Sequence, residues 1–253
     1  MAKIIAVVTQ KGGVGKTTSA VNLAATLGEM GKKCLLVDID PQGNATSGVG
    51  VDKRTVKQST YDLLMGETDG SKAVQRTPFD NLSIIPASVA LAGAEIEMVD
   101  VPHREKRLKA ALAPCCEQFD FILIDCPPAL GLLTLNALVA ADTFLIPAQP
   151  EYYALEGLSQ LIATVRQVKR LYNPTLELEG VLFTMYDGRT HLTQQVVAEV
   201  KKFFPRRVYG TVIPRTVRLA EAPSYGRPIN YYDKKSKGAK AYAELAKEIL
   251  AQQ

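Results

Sequence analysis

The sequence predicts an α/β domain built on a mostly parallel sheet flanked by helices on both faces, and three observations carry that expectation. Apolar runs of strand length alternate with amphipathic helical stretches along the chain. A glycine-rich loop joins the first run to the first helix. Aspartates close several of the apolar runs, at the strand ends where open α/β sheets bind ligands. With 253 residues and 47% hydrophobic content, the chain can bury a substantial core as a single domain over residues 1–253.

Ile4-Ile5-Ala6-Val7-Val8 reads as a buried strand that runs straight into the glycine-rich loop. A helix follows through Asn22, Leu23, Leu27 and Met30, and Gly31 stops it because glycine takes the left-handed conformation that ends helices. Cys34-Leu35-Leu36-Val37-Asp38 is the second strand, and further strands are expected at Leu82–Ile85, 121–124, 143–146 and 180–183, with helical patterns between most of them. Residues 42–60, rich in Gly, Ser, Thr and Asn, are too long and polar for a simple connection and are expected to form a mobile switch region. Residues 126–141 are uncharged, but Pro127-Pro128, Gly131 and Asn136 predict a core element rather than a membrane span. The N-terminal run meets the Lys/Gly loop at once, which leaves no room for a signal peptide and predicts a cytoplasmic protein.

Four cysteines, Cys34, Cys115, Cys116 and Cys126, form no CxxC pair and have no histidine at zinc-ligand spacing, so they are expected as buried thiols. His103 and His191 lie in charged or polar sequence without a nucleophile pattern and are expected in surface or hydrogen-bonded structural roles. The net charge of +4 hides an asymmetry: residues 166–240 hold 15 Lys/Arg against 6 Asp/Glu, leaving 15 against 20 elsewhere. Such a segment is either a solvated face or the footprint of a polyanionic partner.

The strongest chemical signal is Lys11-Gly12-Gly13-Val14-Gly15-Lys16-Thr17-Thr18 between the first strand and first helix. Glycines let successive N–H groups wrap phosphate oxygens, the helix N-terminus adds a favourable dipole, Lys16 reaches the terminal phosphates and Thr17 is placed to ligate magnesium. A second signal is Asp38-Ile39-Asp40-Pro41-Gln42-Gly43-Asn44, where period-two alternation puts Asp38 and Asp40 on one side at a strand end. Two carboxylates beside a phosphate loop suit the control of magnesium and water. The third is Phe121-Ile122-Leu123-Ile124-Asp125, an apolar strand ending in an acid, as a Walker B segment does.

Gln10 stands where the ordinary phosphate loop has its first glycine, and Lys11 sits beside the remaining glycines. The loop therefore resembles the deviant Walker A motif. Together with Glu151-Tyr152-Tyr153-Ala154-Leu155-Glu156-Gly157-Leu158 and Ile213-Pro214-Arg215-Thr216-Val217-Arg218-Leu219-Ala220-Glu221-Ala222-Pro223-Ser224, the motifs resemble the ParA/Soj family over nearly the whole chain. The resemblance implies an ATPase of chromosome or plasmid partitioning that uses ATP and Mg2+. It implies that Lys11 reaches across an ATP-dependent homodimer, Asp40 polarises the attacking water, Asp125 is the Walker B acid and Asp38 holds magnesium through water. Adenine contacts are implied for Pro214 and Thr216, the latter standing where the family commonly has Asn. Further implications are non-specific double-stranded DNA binding, a ParB/Spo0J-type activating protein with a basic segment, slow turnover without it, and a cytoplasmic, nucleoid-associated location. Among the basic residues of the second half, the DNA candidates are Arg189, Lys201, Lys202, Arg206, Arg207, Arg215 and Arg218, with Arg189 and Arg218 foremost.

Other trades share the motif. An iron–sulfur electron donor of the nitrogenase-reductase type would need cysteines in Gly-flanked settings, which Cys115, Cys116 and Cys126 lack. A MinD-like membrane switch would need a basic amphipathic tail, but residues 241–253 carry Lys247 against Glu244 and Glu248 and read as a helix packed on the sheet, with no stable membrane association expected. A metabolic P-loop ATPase is the remaining alternative, and the basic segment 166–240 argues against it.

Overall fold

In the computed structural model, residues 2–152 and 154–252 are described, so Tyr153 of the 151–158 motif and Gln253 of the tail lie outside the described residues. The strands are β1 (Lys3–Val7), β2 (Cys34–Asp38), β3 (Gln75–Arg76), β4 (Leu82–Ile85), β5 (Phe121–Asp125), β6 (Thr143–Ala148) and β7 (Glu177–Phe183). They form one sheet in the order β3-β4-β2-β5-β1-β6-β7, parallel throughout except that β3 pairs antiparallel with β4 at one edge. All six strands expected from the apolar runs are present. The two-residue, polar β3 is the one that the apolar pattern gave no sign of.

Because side chains alternate across a strand, Ile4 and Ala6 of β1 join one apolar cluster while Ile5 and Val7 join the other. Both faces are thereby buried, as a parallel sheet requires. The second cluster is closed by α1 (Lys16–Glu29) and, at the end of the chain, by a helix over Lys237–Ala251. The first cluster is closed by α2 (Leu132–Ala140), α3 (Ala154–Leu171) and α4 (His191–Phe203). The Lys237–Ala251 helix, α5, buries Tyr242, Leu245, Ala246 and Ile249, so the tail is packed as expected.

Residues 126–141 contribute the nine-residue α2, and among the described residues no helix is long and apolar enough to cross a membrane. The expected stop at Gly31 is present, with φ of +86°. Residues 42–60 carry a five-residue helix, Asn44–Gly48, and a 3-10 turn, Lys53–Thr55. A helix of barely more than one turn leaves no apolar period in the sequence, which is why the segment reads there as an irregular switch.

The free edge of β7 is occupied by the extended chain after α4. Val181 N–H donates to Arg207 O (2.7 Å), Tyr209 N–H to Val181 O (3.0 Å) and Ile213 N–H to Phe183 O (2.8 Å). This return covers an otherwise open edge and carries Pro214 and Thr216 toward the carboxyl ends of the strands. The chain leaves β1 in one direction to build β2 to β5 and in the other to build β6 and β7, so the loops after β1, β5 and β6 diverge around one crevice.

Candidate functional site

The loop after β1 turns into α1 through Gly13 (φ +75°) and Gly15 (φ +80°), conformations that side chains other than glycine's adopt at a cost. A Cβ placed on Gly12 or Gly13 would meet no atom within 4 Å, so open space surrounds this turn. Thr184, immediately after β7, donates from Oγ1 to Val14 O (2.7 Å) and pins the loop from the far side.

Lys16 opens α1 and is buried, with Nζ 3.2 Å from Asp125 Oδ1 and 3.9 Å from Asp40 Oδ2. Asp38 and Asp125 are register partners on the adjacent strands β2 and β5, which places both carboxylates at one level at the sheet's carboxyl edge. Asp38 Oδ2 accepts from the N–H and the hydroxyl of Thr46, each at 2.7 Å, and Asp38 Oδ1 accepts from Asp40 N–H (3.2 Å). Asp40 Oδ1 accepts from Gln42 N–H (2.9 Å). Thr17 and Thr18 line a cavity of about 310 Å3 together with Lys11, Lys16, Asp40 and Gln42.

The electrostatics of this group are unbalanced. Three buried aspartates share one buried lysine. Burial and the neighbouring Asp125 push the Asp38 carboxyl up to about 7. Burial works against the Lys16 charge as well, but the Asp125 and Asp40 carboxylates outweigh it and hold the ammonium above its ordinary value. Burial pushes the Asp125 carboxyl up, and the Lys16 ammonium and a bond from the Thr17 hydroxyl oppose that rise. Three buried acids against one buried base, beside a glycine turn with open space around it, fit a cation bound together with phosphate. Among the described residues no cluster of three or more acidic, Cys or His side chains is arranged to hold a metal unaided. That suits magnesium, which takes one or two carboxylates and completes its shell with phosphate oxygens and water.

A second cavity of about 520 Å3 adjoins the first and is lined by Gly15, Thr18, Met185, Pro214, Thr216 and Leu219 among others. Its size and largely apolar wall suit a flat base. Thr216 lines it, but its hydroxyl accepts from Leu219 N–H (3.2 Å) and caps the short helix Val217–Glu221. Met185 borders both cavities with a positive φ of +48°. Neither Met185 nor Thr184 stood out in the sequence; the signal was their place at a strand's carboxyl end, the rule that singled out Asp38 and Asp125.

Lys11 does not enter this group. Its Nζ lies 2.5 Å from Glu151 Oε2 at the surface. The basic candidates of the second half differ in how they are held. Arg189 is clamped to Asp187 at 2.6 Å, and Arg218 pairs with Glu221 (3.2 Å) and Asp233 (3.5 Å). Lys202 pairs with Glu199, and Arg207 donates to Leu178 O (3.0 Å). Lys201, Arg206 and Arg215 are exposed and form no ion pair with described residues. Arg189 precedes α4 and Lys201 lies in its last turn, separated by roughly 15 Å of helix axis.

All four cysteines are buried. Burial pushes the Cys34 thiol up to about 12 and that of Cys115 to about 11, so neither offers a thiolate near neutral pH. Both histidines are exposed, as expected.

Fold and site together define a nucleotide-binding P-loop protein, and residues 2–178 match the family described as an AAA domain. The chain is 58% identical over 251 residues to the sporulation initiation inhibitor protein Soj of Bacillus subtilis, covering 99% of each. It belongs to the Soj/ParA family of chromosome-partitioning ATPases. Its fold is similar to the cobyrinic acid a,c-diamide synthase of Mycobacterium smegmatis solved with ADP and magnesium, at 39% identity and a TM-score of 0.87, covering 100% of this chain and 95% of that one. The cell division ATPase MinD of Pyrococcus furiosus is similar at 30% identity and a TM-score of 0.83, with all of both chains covered.

Proposed function

We propose that the chain is an ATP-driven partitioning switch. ATP with Mg2+ closes two protomers face to face, the dimer binds DNA without sequence preference, and a ParB/Spo0J-type protein resets it by stimulating hydrolysis. In this reading the N–H groups of Gly12 to Gly15 and Lys16 hold the phosphates, and Thr17, Asp125 and, through water, Asp38 hold the magnesium. Asp40 orients the attacking water, and Pro214 and Thr216 border the adenine. The bound cation supplies charge neutralisation at the terminal phosphates. The protein side positions and screens, which is most of what phosphoryl transfer requires.

The observation that carries the reading is the separate addresses of two lysines five residues apart. Lys16 is buried on Asp125, whereas Lys11 borders the same cavity at the surface and is paired with Glu151 instead. A rim lysine serves a neighbour's phosphates better than its own. Turnover without the activator is expected at roughly 10⁻⁴ to 10⁻² per second, as for other unassisted P-loop switches. The location expected for such a switch is the cytoplasm, on the nucleoid.

A MinD-like membrane role is disfavoured because the apolar face of α5 is spent on the core. A metabolic synthase role, as the Mycobacterium relative's name suggests, is separated from the switch by whether ATP, and not ADP, shifts the mobility of DNA. The central test is light scattering of wild type and Lys11→Ala in apo, ADP and ATP states. ATP is expected to dimerise the wild type alone, while Lys11→Ala still binds nucleotide as a monomer. ATP-driven dimers of Lys11→Ala would end the reading.

A further inference from the structure

The 151–158 motif opens beside the phosphate loop because β1 and β6 are neighbours, so the loops leaving their carboxyl ends emerge side by side. Between them lies a shallow groove lined by Thr9, Lys11, Val14, Gln149 and Ala154. Glu151 lies between two residues of that lining: its N–H donates to Gln149 O (2.8 Å), and Ala154 N–H donates to Glu151 O (2.9 Å) at the start of α3. Lys11 meets it at 2.5 Å, with both side chains a little under half exposed. The acids of the nucleotide site are engaged elsewhere, Asp125 and Asp40 by Lys16 and Asp38 by Thr46.

We propose that Glu151 sets the threshold that nucleotide-driven assembly must pass, by holding Lys11 within its own protomer until the facing site offers more negative charge than one carboxylate. The inference rests on the dimer reading above and adds the device that sets its threshold. A lysine that crosses an interface must exchange partners, so its net gain is the difference between the phosphate and the carboxylate it leaves. A terminal γ-phosphate exceeds a single carboxylate in charge. A diphosphate places its charge one phosphate further from the rim and gains too little to open the pair. Without Glu151 the lysine would be free in solvent, and both nucleotides would recruit it more readily.

The magnitude follows from the exposure of the pair. An exposed ion pair of this kind holds its partners by a factor of about 1.5 to 5. A symmetric dimer opens two such pairs, so the factors multiply to roughly two- to twenty-fivefold in the dimerisation constant. The same exposure makes the effect sensitive to screening, since pairs in solvent weaken as the Debye length shortens.

Glu151→Gln tests this directly, since it keeps the shape and removes the charge. Mass by light scattering is measured for wild type and variant against a non-hydrolysable ATP analogue and against ADP, at low and at high salt. The expected result is an analogue-driven dimer formed at roughly two- to twenty-fivefold lower protein concentration in Glu151→Gln. A dimer fraction with ADP that the wild type lacks is expected too, and both differences should shrink at high salt. ADP affinity of the monomer and the melting temperature should stay unchanged, which separates the effect from altered folding. Equal or weaker dimerisation of a folded Glu151→Gln overturns the proposal and leaves the dimer reading intact. A wild type that stays monomeric with the analogue overturns both.

Discussion

Thr46 shows how one hydroxyl can govern a site that it does not line. Its Oγ1 donates to Asp38 Oδ2 (2.7 Å) and accepts from Ala87 N–H (3.0 Å), while its own N–H donates to the same carboxylate oxygen (2.7 Å). Asp38 in turn accepts from Asp40 N–H (3.2 Å) and, through its carbonyl, from the Thr60 hydroxyl (2.7 Å). The helix Asn44–Gly48 is therefore hung on the end of β2, and the backbone that carries Asp40 is hung with it. Thr46→Val keeps the volume but leaves Ala87 N–H unpaired and a buried carboxylate short of a donor. The expected cost is about 1–3 kcal/mol of stability. If Asp40 orients water as proposed, kcat should fall well beyond any change in KM, because the displaced carboxylate matters to the transition state more than to nucleotide binding. Urea unfolding and steady-state kinetics check both, with Thr46→Ser expected to restore both because it returns the hydroxyl.

At the scale of elements, α1 packs backbone to backbone against the turn before β4. A Cβ built on Gly28 would lie 2.3 Å from the backbone oxygen of Asp80, and backbone, unlike a flexible side chain, cannot step aside cheaply. Alanine is favoured over glycine within a helix by about 1 kcal/mol, but here the helix would have to move off the sheet. Gly28→Ala is therefore expected to destabilise the protein by about 1–3 kcal/mol net, read by chemical denaturation. A stabilised variant would show that α1 moves away without loss. That contact could not be foreseen, since it joins positions 52 residues apart through an order of strands that no local pattern encodes. The six longer strands were legible because their apolar stretches, such as Leu35-Leu36-Val37, are buried and read as strand-length runs. The phosphate loop and Asp125 were legible because their chemistry is local to one strand end. The Lys11–Glu151 pair was not, because it depends on β1 and β6 being neighbours, and neither was β3, whose Gln75 and Arg76 carry no apolar signal.

At the scale of the whole molecule, the positive balance of residues 166–240 becomes a set of cations held to different degrees. Arg189 and Arg218, the foremost DNA candidates from sequence, are both held by nearby acids, as Lys202 is by Glu199, and Asp187 is driven down to about 2 by its bond to Arg189. If DNA is the polyanion, Arg189 must trade Asp187 for a phosphate. Dimerisation would present two such weak faces to one duplex, which strengthens binding without new contacts. Opposite changes at the pair should then have opposite effects. Arg189→Glu is expected to lower the affinity of the ATP-bound dimer equally for unrelated duplexes and to flatten the slope of log affinity against log salt by about 0.9 per lost phosphate contact. Asp187→Asn should do the reverse, tightening binding to every duplex, because the guanidinium is released and a repelling charge is removed. Neither change should alter ATP-driven dimerisation, since neither residue borders the cavities that hold the phosphate loop. Fluorescence anisotropy over a salt series, with light scattering in parallel, reads all of this. Affinity unchanged in both variants would move the DNA surface toward Lys201, Arg206 and Arg215, the three candidates that are exposed with no acid partner among the described residues.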